Sequence, residues 1–210
     1  MNTTFHNILS TKIIPVLVID DPSNAKNVGE ALVANALPIV EVTLRTPTSW
    51  QSVNELQKIE GLTVGIGSVR SKDDLQRAAD SGVSFAVSPG IQAHLVEHAQ
   101  KLQIPYLPGV ATPSEIMLGV SLGLEVLKFF PAETLGGVAA IKAMSAPFPE
   151  LKFIPTGGIT TKNAPSYLAE KNIPAVGGSW MVSREKIAAR DFDSIANDIS
   201  ASVQLIRDLG

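Results

Sequence analysis

The chain has 210 residues, of which 45% are hydrophobic and 18% are charged, a composition that fits a globular protein with one sizeable core and excludes a disordered chain. Its formal net charge of −3 offers no electrostatic footprint for nucleic acid or an anionic membrane, and the absence of cysteine excludes disulfides, thiol catalysis and thiolate metal sites. The apolar runs are about as long as strands and the N-terminus is polar, so we expect no transmembrane helix, no signal peptide and a cytoplasmic location.

Short apolar runs alternate with helical segments along the chain. A short helix is predicted over residues 2–10 and an amphipathic helix over 192–209. Strands are predicted between them at residues 13–19, 39–44, 62–67, 85–88, 104–110, 126–131, 153–155 and from 175. Helices are predicted between the strands at residues 23–36, with Ser23 as N-cap, and at 49–59, 73–81, 93–103 and 137–145. Two further helices are predicted to begin at Pro113, with Thr112 as N-cap, and at Asn163.

This alternation indicates the fold class. Strands that are apolar on both faces, with helices between them, form a parallel sheet covered by helices. About eight of each predict an α/β protein with a compact (β/α)8 TIM barrel, which forms a single domain over residues 1–210 with a short N-terminal helix. A doubly wound open sheet is the competing architecture. In a barrel, functional side chains lie at the C-terminal ends of the strands and in the loops that follow.

The sixth predicted strand carries a lysine in its middle. Alternation of side chains places Lys128 on one face with Val126 and Phe130. A buried ammonium group is costly, so we expect part of this lysine to be neutral near pH 7, and a neutral amine can attack a carbonyl and form a Schiff base. The alternative is that the side chain extends to solvent at the strand end, as most lysines do.

The second predicted strand places three polar side chains on one face. Glu41, Thr43 and Arg45 alternate with apolar residues and are therefore expected inside the barrel. A buried Glu–Arg ion pair is the structural alternative, but its desolvation cost makes it better evidence for a site. Because the second and sixth strands lie opposite each other in an eight-stranded ring, Glu41 is expected to meet Lys128 and to shuttle protons for its adduct. Arg45 suits a substrate carboxylate.

Glycine-rich turns follow four of the predicted strands. Ser68 follows residues 65–67 and Pro89 follows the fourth strand, where close approach of a ligand and a plain tight turn are equally good interpretations. Thr156-Gly157-Gly158 follows the seventh strand and Gly177-Gly178-Ser179-Trp180 follows the eighth. These two loops most often form the phosphate site of a barrel, so their exposed backbone N–H groups favour phosphate over a bare turn.

His94 and His98 have a helical spacing that can bind metal. Two ligands are too few for a site, and Glu97 does not complete the pattern of a zinc protease. We therefore expect these histidines on an outer helix, and we expect neither a metal nor a cofactor.

Six segments together resemble one known family. They are residues 41–46, 85–90, 108–115, 128–133, 155–159 and 177–180. In these segments, and nearly end to end, the chain resembles 2-keto-3-deoxy-6-phosphogluconate (KDPG) aldolase, which is often also 4-hydroxy-2-oxoglutarate (KHG) aldolase. The resemblance implies a (β/α)8 barrel and a metal-free class I aldolase, usually a homotrimer. Its substrates would be a 2-keto acid, pyruvate, and an aldehyde, either glyceraldehyde 3-phosphate or glyoxylate.

The same resemblance implies a role for each matching residue. Lys128 takes the place of the Schiff-base lysine and Glu41 that of the acid–base carboxylate. The expected substrate-binding residues are Arg45 and Ser68 at the pyruvate carboxylate, Pro89, Phe130 and Thr156 along the pocket, and Gly157, Gly158 and Ser179 at the sugar phosphate. Ser68 stands where the family usually has threonine, so we expect a looser fit there rather than lost activity.

Two other functions remain as alternatives. Another phosphate-binding barrel enzyme, such as an epimerase, would need metal ligands or a different acid pair, which the strand ends do not offer. A catalytically silent sugar-phosphate binding protein would explain the glycine loops but not a buried Lys128 that faces Glu41.

Overall fold

The computed structural model of the chain describes residues 8–209. Its strands are β1 (Ile13–Leu17), β2 (Ile39–Thr43), β3 (Thr63–Gly67), β4 (Phe85–Val87), β5 in two segments (Tyr106–Leu107 and Gly109–Val110), β6 (Val126–Phe129), β7 (Lys152–Pro155) and β8 (Val176–Gly178). Its helices are α1 (Ala25–Ala34), α2 (Ser49–Leu56), α3 (Lys72–Asp80), α4 (Ala93–Lys101), α5 (Pro113–Ser121), α6 (Gly137–Ser145), α7 (Ala164–Leu168), α8 (Arg184–Ala188) and α9 (Phe192–Asp208).

The strands pair in parallel and close into a ring. One sheet has the order β5-β4-β3-β2-β1-β8, and a second joins the other segment of β5 to β6 and β7. Pro108 separates the two segments of β5, and a bridge between Thr156 and Gly177 connects the end of β7 to β8. The predicted (β/α)8 barrel is therefore confirmed, and the open doubly wound sheet is wrong.

Two apolar layers stabilise the ring. Inside it, the Phe85 ring fills the space that Gly65 leaves, since a Cβ at Gly65 would lie 2.3 Å from that ring. Outside it, helices cover the strands with buried aliphatic side chains, among them Leu32, Val53, Leu75, Val96 and Ile116. This packing holds the strand ends in fixed positions, which a catalytic constellation requires.

Local chemistry explains where the helices begin. Thr112, the predicted cap of α5, accepts a hydrogen bond from the Glu115 amide at 3.3 Å. Ser23 does not cap α1 as predicted: the Asp21 side chain accepts a hydrogen bond from the Ser23 amide and caps a 3-10 turn, and α1 begins only at Ala25.

Several predicted boundaries need correction. β1 ends at Leu17 rather than at residue 19, and α2 ends at Leu56 rather than at residue 59. The predicted fifth strand is divided at Pro108, because proline has no amide hydrogen to donate to the neighbouring strand. The predicted N-terminal helix is helical at residues 8–10, and its earlier part lies outside the described residues. Within residues 8–209, no helix has both the length and the hydrophobicity that crossing a membrane requires.

Candidate active site

Lys128 and Glu41 meet inside the ring. Lys128 lies on β6 and is 6% exposed, and Glu41 lies on β2 and is 3% exposed. The Lys128 Nζ atom lies 3.6 Å from Glu41 Oε1, so the two opposite strands bring these side chains together as their alternation predicts. The alternative in which Lys128 extends to solvent is wrong. A carboxylate at this distance can exchange a proton with the amine, directly or through one water.

Glu41 fits beside the amine because the neighbouring strand lacks side chains there. A Cβ at Gly67 would lie 2.0 Å from Glu41 Oε1, well inside contact distance. Gly67 lies on β3, where its partner on β2 is Thr43. From the sequence, residues 65–67 indicated close approach of a ligand or a tight turn. The structure shows instead that the space at Gly67 is occupied by the Glu41 carboxylate.

Phe130 lies close to the reactive amine, and Thr156 lies at the end of the neighbouring strand β7. The Lys128 Nζ atom lies 5.1 Å from the centroid of the Phe130 ring, which stabilises a cation at that position. Thr156 is buried directly after β7, and its side chain occupies space that Gly177 leaves, since a Cβ at Gly177 would lie 2.4 Å from Thr156 Oγ1. The structure thus places both predicted pocket residues at the end of the barrel where Lys128 and Glu41 meet.

Arg45 lies outside the barrel interior, which corrects the sequence prediction. β2 ends at Thr43, and Arg45 is exposed in the turn that follows, where its amide donates to the Thr43 carbonyl at 2.8 Å. The alternative of a buried Glu–Arg ion pair is therefore wrong. Arg45 Nε donates to Ser68 Oγ at 3.3 Å, and both residues line a cleft of about 380 Å³ with Leu44, Arg70 and Pro89.

The glycine loop after β7 has a backbone conformation that favours glycine. Gly157 and Gly158 have φ values of +101° and +79°, and a Cβ at Gly158 would lie 2.6 Å from the Glu133 Cβ. Gly178 belongs to β8 rather than to the following loop, and its missing side chain leaves space for the Trp180 ring. Ser179 is exposed directly after this strand.

A contact between Glu133 and Tyr167 supports the glycine loop after β7. The Glu133 amide donates to the Gly157 carbonyl at 3.1 Å, and the Tyr167 hydroxyl donates to the Glu133 carboxylate. Burial, together with that carboxylate, raises the pKa of the Tyr167 phenol well above its usual value, so the hydroxyl stays a donor. Sequence reasoning missed this contact, although Glu133 ends one of the recognised motifs.

The histidines lie away from the site. His94 is exposed on α4 and His98 is partly buried on the same helix. In the part of the chain that the structure describes, no group of three or more His, Asp or Glu side chains is arranged to hold a metal ion.

Comparisons with known proteins agree on one family. The model of the family "KDPG and KHG aldolase" matches residues 6–197 of the chain. The chain is 44% identical to the 2-dehydro-3-deoxy-phosphogluconate aldolase of Zymomonas mobilis over 90% of its length and 91% of that protein. It is 40% identical to the KHG/KDPG aldolase of Escherichia coli K12, with 92% of each chain covered.

A solved structure agrees with these relatives. KDPG aldolase from Legionella pneumophila, with pyruvate captured at low pH as a covalent carbinolamine intermediate, superposes with a TM-score of 0.89. The two sequences are 38% identical, and the match covers 92% of this chain and 95% of that one. Since the family model spans most of the chain and the relatives are similar over nearly their full lengths, the chain belongs to the KDPG and KHG aldolase family.

Proposed function

We propose that this protein is a class I aldolase that reversibly cleaves KDPG to pyruvate and glyceraldehyde 3-phosphate, and 4-hydroxy-2-oxoglutarate to pyruvate and glyoxylate. The observation that carries the proposal is a buried amine, Lys128 Nζ, held 3.6 Å from the buried carboxylate of Glu41. The names of the relatives and the carbinolamine in the Legionella enzyme support it. No metal and no cofactor take part in the proposed reaction.

The reaction begins with a covalent bond between the protein and the substrate. In its neutral form, Lys128 Nζ attacks the C2 carbonyl carbon of the keto acid, and a proton lost by the attacking nitrogen passes to the carbonyl oxygen to give a carbinolamine. That hydroxyl then leaves as water with a proton supplied by the carboxylic acid form of Glu41. The product is an iminium ion, whose positive nitrogen lies over the Phe130 ring.

Cleavage uses the iminium ion as an electron sink. The Glu41 carboxylate accepts the proton of the C4 hydroxyl through a water, and the electron pair of the C3–C4 bond moves into the iminium to form an enamine. The aldehyde leaves. Glu41 returns this proton, through the water, to C3 of the enamine, which gives the pyruvate iminium. Addition of water followed by loss of the amine then releases pyruvate and restores Lys128.

The remaining predicted residues would bind the substrate. Arg45 and Ser68 would hold the pyruvate carboxylate, since Arg45 Nε donates to Ser68 Oγ and its other guanidinium N–H groups form no ion pair with any described residue. The proposed pocket wall consists of Pro89, Phe130 and Thr156, and the proposed phosphate site of Gly157, Gly158 and Ser179. Two left-handed glycines leave backbone N–H groups free to turn toward an anion.

Reductive trapping tests the covalent step. Incubation with pyruvate and borohydride should add the mass of a reduced pyruvate adduct to the peptide that contains Lys128. Attachment to another lysine would contradict the assignment. A lyase assay coupled to pyruvate detection tests turnover, and a silent sugar-phosphate binding protein would give no pyruvate in it.

Gly158→Ala should weaken binding of the phosphorylated substrate. The new Cβ would lie 2.6 Å from the Glu133 Cβ at a φ of +79°, so the loop has to shift. We expect the KM for KDPG to rise about tenfold, while the KM for 4-hydroxy-2-oxoglutarate, which has no phosphate, stays within about twofold.

Gly123→Ala is the matched control for that change. Gly123 has a similar φ of +75° but open space around it, and it precedes β6 at the end away from the site. The substitution should lower the free energy of unfolding by about 1 kcal/mol without changing the KM for KDPG or for 4-hydroxy-2-oxoglutarate. Equal effects of Gly158→Ala on both substrates would contradict a phosphate site at this loop.

We also propose a homotrimer in the cytoplasm. Met117 and Val120 on α5 and Leu135 before α6 are exposed by 62%, 40% and 36%, and exposed large apolar side chains support burial against another copy. Sedimentation equilibrium should give three times the 22.2 kDa mass of one chain, and Met117→Glu should lower that mass. A single-chain mass for the unmodified protein would contradict the trimer.

A further inference from the structure

A second guanidinium group lines the cleft that contains Arg45 and Ser68. Arg70 shares this cleft of about 380 Å³ with Arg45, Ser68, Pro89 and Leu44. Its backbone amide donates to Asp74 Oδ2 at 2.9 Å, but its guanidinium forms no ion pair or side-chain hydrogen bond with any residue in 8–209. The proposed function assigns a role to Arg45 and none to Arg70.

The cleft continues the walls that surround the reactive amine. Ser68 directly follows Gly67, the residue that contacts the Glu41 carboxylate. On the other side, a Cβ at Gly109 would lie 2.2 Å from the Pro89 carbonyl oxygen, and Gly109 is the β5 partner of Lys128. The cleft therefore borders the reactive pair on two sides, at Ser68 beside Gly67 and at Pro89 beside Gly109.

The nearest helix does not neutralise Arg70. The Asp74 carboxylate accepts hydrogen bonds from the backbone amides of Arg70 and Ser71, and it forms the capping box of α3 with Ser71. No salt bridge joins the Asp74 carboxylate to the Arg70 guanidinium, which means that the two groups lie more than 4 Å apart. The cleft thus presents two positive charges to a ligand that carries one carboxylate.

We propose that Arg70 is a second carboxylate-binding cation of the keto acid subsite and determines its preference for an anionic ligand over a neutral one. This inference rests on the proposed aldolase function. Arg45 holds the carboxylate by hydrogen bonds, and Arg70 adds attraction across the open side of the cleft. In an exposed cleft such an attraction changes affinity by about fivefold and is weakened by salt.

Borohydride trapping with two small ligands tests the inference. Pyruvate carries the carboxylate, whereas methyl pyruvate presents the same ketone without the charge. For Arg70→Gln, the pyruvate concentration that gives half-maximal trapping should rise about fivefold, and that for methyl pyruvate should not change. Arg70→Lys, which keeps the charge, should remain within about twofold of the parent protein for both ligands.

Lys72→Gln is the matched control, because it removes the same charge from an exposed position two residues away that does not line the cleft. For Lys72→Gln, the concentrations of pyruvate and methyl pyruvate that give half-maximal trapping should equal those of the parent protein. The inference is overturned if Arg70→Gln leaves the pyruvate value unchanged, if it shifts both ligands equally, or if Lys72→Gln has the same effect. If pyruvate does not trap the parent protein at all, the proposed function is wrong. If pyruvate traps the parent but Arg70→Gln gives one of the results above, only the inference about Arg70 is wrong.

Discussion

Replacing Lys128 with methionine should reduce the rate of KDPG cleavage by at least about 10⁴-fold. Methionine keeps the unbranched shape of the side chain but has no nucleophile, so neither the carbinolamine nor the iminium can form. Lys128 is the lysine that the structure places inside the ring beside a carboxylate, and no other described lysine lies within 4 Å of Glu41. We therefore expect no rescue by a neighbouring amine.

The same substitution should also destabilise the fold, because it leaves the Glu41 carboxylate buried without its cation. Removing one partner of a buried pair costs about 3–5 kcal/mol. The double variant Lys128→Met with Glu41→Gln should recover most of that stability and none of the activity. Urea unfolding and the coupled lyase assay measure the two effects. Pyruvate formation by Lys128→Met at a rate close to the parent's would contradict the Schiff-base assignment.

The pairing of Lys128 with Glu41 could be predicted because it depends only on which face of its strand each side chain occupies. Side chains alternate along a strand, and opposite strands of an eight-stranded ring face one interior. These two rules need no exact strand boundary, since shifting an end by one residue does not change which face Lys128 occupies. The Thr156-Gly157-Gly158 loop was predictable for a similar reason, because a proline and two glycines mark the strand end at Pro155 in any register.

Arg45 shows that the alternation of side chains does not predict where a strand ends. Alternation assigns Arg45 to the same face as Glu41, but β2 ends at Thr43 and the chain turns before Arg45. Where a strand ends depends on the hydrogen bonds of the folded chain, here those that the Arg45 amide and the Ser49 hydroxyl donate to the Thr43 carbonyl at 2.8 and 2.9 Å, which the alternation of side chains does not encode. The Glu133–Tyr167 contact was out of reach for the same reason, since it joins side chains 34 residues apart.

Replacing Glu41 with glutamine should separate Schiff-base formation from bond cleavage. Glutamine has nearly the same volume, so it fits the space that Gly67 leaves, but it cannot accept the proton of the C4 hydroxyl. We expect kcat for KDPG cleavage to fall by about 10²–10⁴-fold, the usual contribution of a positioned acid–base group. Lys128 keeps its nucleophilic nitrogen, so borohydride trapping with pyruvate should persist at saturation, although more slowly.

Two further variants make this separation decisive. Thr43→Val changes a buried residue on the same strand, whose hydroxyl donates to the Leu17 carbonyl at 3.0 Å rather than to Lys128 or Glu41. It should lose about 1 kcal/mol of stability and keep its cleavage rate within a few-fold. Glu41→Asp keeps the carboxylate but retracts it by one methylene, so its cleavage rate should lie between those of the parent and Glu41→Gln. If Glu41→Gln cleaves KDPG as fast as Thr43→Val does, proton transfer at C4 does not depend on Glu41, and the carboxylate beside Lys128 serves only to balance its charge.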